Sequence, residues 1–270
     1  KGGRIVAQIM HCGRVGHPDN KAPGSDLIGP SAIPCQAEIF TPKGMQSMPT
    51  PRAIESAEIP GIISEYCEAA KRAMAAGFDG IELHCTSGYL PAQFLSTGSN
   101  QRSDNYGGSL ENRLRFVVEL TQALCDTVGP GRVGVRVCPG NPFNDLQDED
   151  ASETFAALFR ALTPMGLAYL HVIRMASTGI DNIALAQQHF KGALIVNDSY
   201  SPEEANQLLV NQGAAAVSFG RPFIANPDFV GRVASAAPLS KMNGKTLYTP
   251  GAEGYIDYPT VEQASLLEDQ

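Results

Sequence analysis

The sequence predicts an α/β fold, a parallel sheet with helices packed outside it, either doubly wound or closed as a barrel. Two observations predict this. Short β-branched apolar runs alternate with stretches of helical period, six times over. A polar cluster follows nearly every apolar run, which favours the barrel, where all the βα loops face one mouth. At 270 residues and 43% hydrophobic, the chain has enough apolar material for such a core. With no repeats and no linker-like tracts, residues 1–270 read as a single barrel domain.

Each unit has its own signature. "RIVAQIM" (4–10) is a strand, followed by a Pro/Gly-rich excursion from about Gly13 to Arg52. Residues 59–77 have apolar positions at helical spacing and Gly77 as a stop. "FDGIELH" (78–84) is the second strand, and 108–129 the helix after it, with Ser109 and Asn112 near its start. "RVGVRV" (132–137), "LAYLHVIR" (167–174), "ALIVN" (193–197) and "AAAVSFG" (214–220) are the remaining strands. Helices at 150–166, 181–190 and 201–213 separate them, and the last has Ser201 as N-cap, Pro202 at its first position and Gly213 as stop. "RPFIANPDFVGRV" closes the series as a helix.

Composition narrows the function. The net charge is −8 and no long basic block is present, which argues against nucleic acid or an anionic membrane surface as partner and for a small-molecule ligand. Cysteines 12, 35, 67, 85, 125 and 138 form no CxxC pair and read as buried reduced thiols of a cytoplasmic protein. No signal peptide and no bilayer-length apolar run stands out.

The strand ends carry the chemistry. The first delivers Gln8, His11 and Arg14; the second His84, Ser87 and Tyr89; the third Arg136; the fourth His171 and Arg174. The fifth delivers Asn197 and Asp198, and the sixth Gly220 and Arg221. A cationic rim on an acidic protein suits an anionic ligand, and "FGRP" lies where barrels often bind phosphate. Singly, each has an ordinary explanation: an Arg at a strand end serves a salt bridge, and Gln8 a backbone group. Their joint occurrence carries the argument. Neither GxGxxG nor GxxxxGK[ST] occurs, so neither a Rossmann site nor a P-loop is supported. No metal site is expected, because the carboxylates of 145–153 read as a solvated helix approach and His84 and His171 lack evident carboxylate partners. An isomerase or aldolase would need a catalytic Lys or a carboxylate base at a strand end, and none stands out.

"HCTSGYLPAQFLSTGSNQRSDNYGGSLENRLRF" (84–116) resembles the old yellow enzyme family of flavin-dependent ene-reductases, as do "QIMHCGRVGHP", "SAIPCQAEIFTPKG", "VGVRVCP", "FGRPFIANPD" and "GAEGYIDYP". The likeness spans essentially the whole chain, and "QIMHCGRVGHP" is closer to the classical bacterial branch that also handles nitroesters and nitroaromatics. The resemblance implies a (βα)8 barrel, with units three to eight in this chain, holding FMN at its mouth and using NAD(P)H as reductant. Gln8 would bond the flavin pyrimidine edge, and Arg136 would lie where reduced flavin gathers negative charge. Gly220 and Arg221, with Asn197 and Ser199, would hold the phosphate. His84, with position 87, would bond a carbonyl or nitro oxygen, Tyr89 would protonate the α carbon, and Tyr255 would line the substrate pocket.

Two positions depart from the family. Residue 87 is usually Asn or His and here is Ser, whose shorter reach implies weaker polarisation of enones. "VNDSY" replaces a Gly-rich turn and sets Asp198 near the phosphate. The family pattern also leads one to expect the first two barrel strands ahead of Lys1 or on a partner segment, and the expected partners are that N-terminal segment or a homo-oligomer. The alternative function is a flavin-free barrel remnant acting as a binding or assembly partner, with edges open to other strands.

Overall fold

The computed structural model describes residues 2–268, in two compact units divided between Val196 and Asn197. The first unit is built on a sheet of β1 (Val6–Ile9), β2 (Gly80–Cys85), β3 (Val133–Val137), β4 (Tyr169–Ile173) and β5 (Leu194–Asn197), in that spatial order. β1 to β4 pair in parallel. Between the strands run α1 (Ile59–Ala75), α2 (Leu90–Leu95), α3 (Leu110–Val128), α4 (Ala151–Leu162) and α5 (Asn182–His189). The second unit contains α6 (Pro202–Val210), β6 (Ala216–Ser218), α7 (Arg221–Ala225), α8 (Phe229–Ala234) and α9 (Val261–Glu268). All six predicted strands are present, most of them a residue or two shorter at their ends than the apolar run, while β2 runs one residue further, to Cys85.

Strand alternation sorts the side chains into two faces. On one face, Ile81, Leu83 and Cys85 lie in register with Val133, Val135 and Val137, beside Leu170 and Val172, and all are fully buried. Burial of each large aliphatic side chain stabilises the fold by about 1.5–3 kcal/mol. α3 adds Phe116, Val117, Leu120 and Leu124 to this core, and Phe116 stacks on Phe94 of α2 with ring centroids 4.1 Å apart. Buried Arg113 donates to the carbonyls of Leu95 and Gly108 and to Asp150 at 2.5 Å, tying α3 to the loops around it.

Local signals were followed closely. Ser109 caps α3 by accepting from the Asn112 amide, and Ser201 and Glu204 form a capping box ahead of Pro202. Gly77, at φ 91°, ends α1. Gly213 does not play that part for α6: Gln212 takes the left-handed conformation, at φ 55°.

The excursion is more ordered than its composition suggests. It contains an antiparallel hairpin, Glu38–Thr41 with Gly44–Ser47, and a short parallel bridge of Ile28–Gly29 with Arg52–Ala53. Val15, Cys35 and Met48 form a small core under it, and Tyr89 packs against that core. Arg14 is 1% exposed and donates to the carbonyls of Ile33, Pro34, Asn144 and Asp145. This corrects its expected place on the rim, because all those carbonyls lie in loops that the guanidinium holds together. Gln93 of α2 clamps the same region, accepting from the Arg14 amide and donating to the carbonyls of Cys12 and Gly88.

β2 ends at a turn in which Ser87 (φ 57°) and Gly88 (φ 75°) are both left-handed. A Cβ at Gly88 would lie 2.5 Å from Asn144 Cβ and 2.7 Å from the Phe143 carbonyl oxygen. Only glycine fits there. Gly88→Ala is expected to lower stability by about 2–4 kcal/mol through strain and collision; a urea midpoint equal to that of the parent chain would contradict this account.

Candidate active site

The second face of the sheet carries two rows of polar side chains. Strand pairing aligns Gln8 with Glu82, Glu82 with Gly134, and Gly134 with Tyr169. Two residues further along, His84 aligns with Arg136 and Arg136 with His171. Side chains two apart on a strand share a face, so both rows point the same way. The lower row thus lies beneath the upper one.

Glu82 organises the lower row. It is 7% exposed and accepts from Gln8 Nε2 at 2.6 Å, pairs with His171 Nδ1 at 2.8 Å, and receives the Tyr169 hydroxyl. Burial pushes its pKa up, but the bonds from His171, Gln8 and Tyr169 outweigh that and hold it below the usual value. Gly134 makes the row possible, because a Cβ there would overlap the Tyr169 ring. Sequence reasoning missed Glu82 and left His171 without a carboxylate partner. The signal was present: Glu82 stands two residues before His84 and must share its face. A carboxylate committed to three donors is a poor general base, so an isomerase or aldolase gains nothing from it. Among the described residues, no group of three or more His, Cys, Asp and Glu side chains is placed to hold a metal.

His84 in the upper row is 8% exposed, and its Nδ1 is buried without a hydrogen-bond partner. Burial, followed by the charge of Arg136, pushes its pKa down to about 4. The imidazole is therefore neutral at neutral pH, with one N–H donor, and among the described residues no acid or carbonyl meets its buried nitrogen. The Tyr89 ring stands 5.2 Å from it, centroid to centroid and tilted by 45°. In the turn that joins them, Asn144 Nδ2 donates to the Ser87 carbonyl at 2.8 Å. Ser87 is half-buried in a left-handed conformation that Asn adopts more readily than Ser.

The residues expected to meet a phosphate lie in the second unit. Asn197, Ser199, Gly220 and Arg221 line one cleft of about 410 Å³ together with Asp198 and Ser218. Asn197 Nδ2 donates to the Ser218 carbonyl at 3.0 Å. Arg221 makes no ion pair among the described residues and is exposed at the cleft. Asp198 and Ser199 are left-handed (φ 78° and 57°), a conformation that glycine adopts at less cost. The Asp198 carboxylate is exposed and receives the Ser199 hydroxyl at 3.2 Å, so water screens it. Tyr255 does not line this cleft. It is 45% exposed, and its hydroxyl accepts from the Tyr248 amide.

The donor sets suit FMN. An unpaired cation beside an open cleft matches a phosphate, and an amide and a guanidinium on one sheet face match a flavin's polar edge. Because the folded state depresses the His84 pKa, stability is fully present above its unfolded value of 6.5 and falls as pH drops towards about 4. His84→Asn is expected to remove about 2 kcal/mol of the stability lost between pH 7 and pH 4.5; identical losses in urea titrations of variant and parent would contradict the buried neutral ring.

Comparison with known proteins agrees with the geometry. Residues 1–240 match the NADH:flavin oxidoreductase / NADH oxidase family. The chain is 40% identical over 268 residues to a probable flavin mononucleotide-dependent alkene reductase of Leishmania infantum, covering 96% of this chain and 73% of that protein. It is 35% identical to 12-oxophytodienoate reductase 2 of Arabidopsis thaliana, covering 98% and 73%. Among solved structures it matches morphinone reductase in complex with tetrahydroNAD, with TM-score 0.91, 39% identity and coverage of 97% and 74%. The old yellow enzyme of Trypanosoma cruzi matches with TM-score 0.92, 35% identity and coverage of 96% and 74%. Its fold class is the (βα)8 barrel type of these structures, with units three to eight in this chain. Similarity this long and this close in both sequence and structure is kinship, and the chain belongs to the old yellow enzyme family, as an FMN-dependent oxidoreductase with a nicotinamide nucleotide as reductant.

Proposed function

We propose that the chain reduces activated C=C bonds in enones and enals, and also nitro and nitroester compounds, with NAD(P)H as hydride source. FMN held by Gln8, Arg136 and Arg221 would supply the hydride chemistry that couples the nicotinamide to the β carbon of the substrate. The pairing of His84 with Tyr89 across the Ser87–Gly88 turn carries this reading. An enone needs two things from the protein besides hydride: a donor on its oxygen and a proton for its α carbon.

His84 supplies the first. Its neutral ring donates a hydrogen bond to the carbonyl or nitro oxygen, drawing electron density off the double bond and making the β carbon electrophilic. Tyr89 supplies the second by giving its hydroxyl proton to the α carbon, so that one hydride and one proton add across the bond. Ser87 reaches less far than Asn or His, so polarisation rests chiefly on His84. Gln8 and Arg136 hold the flavin's pyrimidine end, while Asn197, Ser199, Gly220 and Arg221 hold its phosphate. Tyr255 lines the substrate pocket. All six thiols are free; four are buried, while Cys12 and Cys67 are half-buried rather than buried as expected, and this usage supports a reducing compartment, the cytoplasm, as its location.

The test is the visible spectrum of the purified chain before and after incubation with FMN and desalting. A retained flavin band, bleached anaerobically by NADPH and restored by 2-cyclohexenone or a nitroester, is the expected result. A chain that stays colourless after FMN treatment would contradict the reading and favour a flavin-free binding module instead.

A further inference from the structure

The proposed chemistry leaves the buried carboxylate of Glu82 without a task, although three side chains from two other strands converge on it. Its bond with Gln8 is the informative one. An ionised carboxylate only accepts hydrogen bonds, so Gln8 must turn its NH₂ group towards Glu82 Oε1, 2.6 Å away. The amide oxygen is thereby turned aside. One of the two amide N–H groups is spent on Glu82, and Gln8 is exposed, so an open edge remains with one acceptor and one donor in a fixed order. Such an edge pairs with a cyclic imide, in which a ring N–H lies beside a carbonyl oxygen. A flipped amide would set donor against donor. His171 and the Tyr169 hydroxyl keep Glu82 ionised and in place, and the absence of a side chain at Gly134 leaves room for Tyr169 to reach it.

We propose that Glu82 is a positioning residue that fixes the order of donor and acceptor on Gln8, so that the site selects a cofactor with a free imide N–H. This rests on the reading that Gln8 meets the flavin. Neither the fold nor the enone chemistry requires it, since a hydrophobic residue could fill the same space.

The experiment compares binding of FMN with binding of FMN methylated at the imide nitrogen, by flavin fluorescence quenching on the full chain. The parent is expected to favour FMN by about tenfold, in keeping with one well-placed hydrogen bond and a lost donor. Glu82→Gln can offer Gln8 either a donor or an acceptor, and is expected to reduce the preference to about twofold or less. Gln8→Ala should do the same. A preference that collapses in Gln8→Ala but survives in Glu82→Gln overturns the positioning role alone. A preference that survives in Gln8→Ala overturns the contact with the flavin as well. A second measurement needs no change at Glu82: in the ¹⁵N spectrum of the parent chain, the side-chain amide signal that disappears in Gln8→Ala should have one proton shifted downfield and slow to exchange. Two fast, equivalent protons there would overturn the proposal.

Discussion

The site depends on one constraint: parallel strands in a fixed register must deliver their alternate side chains to the same face. In β1 to β4 this aligns Gln8, Glu82, Gly134 and Tyr169, with His84, Arg136 and His171 above them. A buried carboxylate in such a row must be fully hydrogen-bonded, because removing one partner of a buried charged pair costs about 3–5 kcal/mol. Glu82 meets that demand through three donors from two other strands of the sheet, β1 and β4. Its presence therefore restricts what can stand at Gln8, Gly134, Tyr169 and His171. Above Glu82 on the same strand stands His84, the group proposed to bind the substrate oxygen.

The second constraint is the turn that ends β2. Ser87 and Gly88 reverse the chain in left-handed conformations, after which Tyr89 caps α2 and returns beside His84. The excursion is what holds it there. Arg14, Gln93 and the core of Val15, Cys35 and Met48 bind the loops after β1, β2 and β3 to one another, so that Tyr89 packs on a fixed surface. Burial does the rest electrically, keeping His84 neutral next to Arg136. A neutral donor can polarise an oxygen without giving up its proton, which leaves protonation to Tyr89.

Periodicity alone was enough to place the six strands and most of the helices, because apolar alternation and caps such as Ser201 and Gly77 are local signals. The strand-end residues His84, Tyr89 and Arg136 were legible for the same reason. What stayed hidden depends on distant partners. Glu82 is one acid in an apolar run, and Gln8 and His171 lie 74 and 89 residues away from it. Arg14 looked like a rim cation because its carbonyl partners come from loops whose course the sequence does not reveal. The hairpin at 38–47 was obscured by the prolines and glycines around it. The left-handed residues Ser87, Asp198 and Ser199 are not glycines, so nothing in the composition marked those turns.

The central claim is that His84 and Tyr89 divide the work between oxygen binding and protonation. Stopped-flow measurement of the two half-reactions of flavin-loaded Tyr89→Phe tests it most directly. The account predicts that flavin reduction by NADPH keeps its parent rate to within about twofold, while reoxidation by 2-cyclohexenone slows by about 10²–10⁴-fold, the usual worth of a positioned acid. Reoxidation at the parent rate would contradict it, since the α-carbon proton would then come from elsewhere.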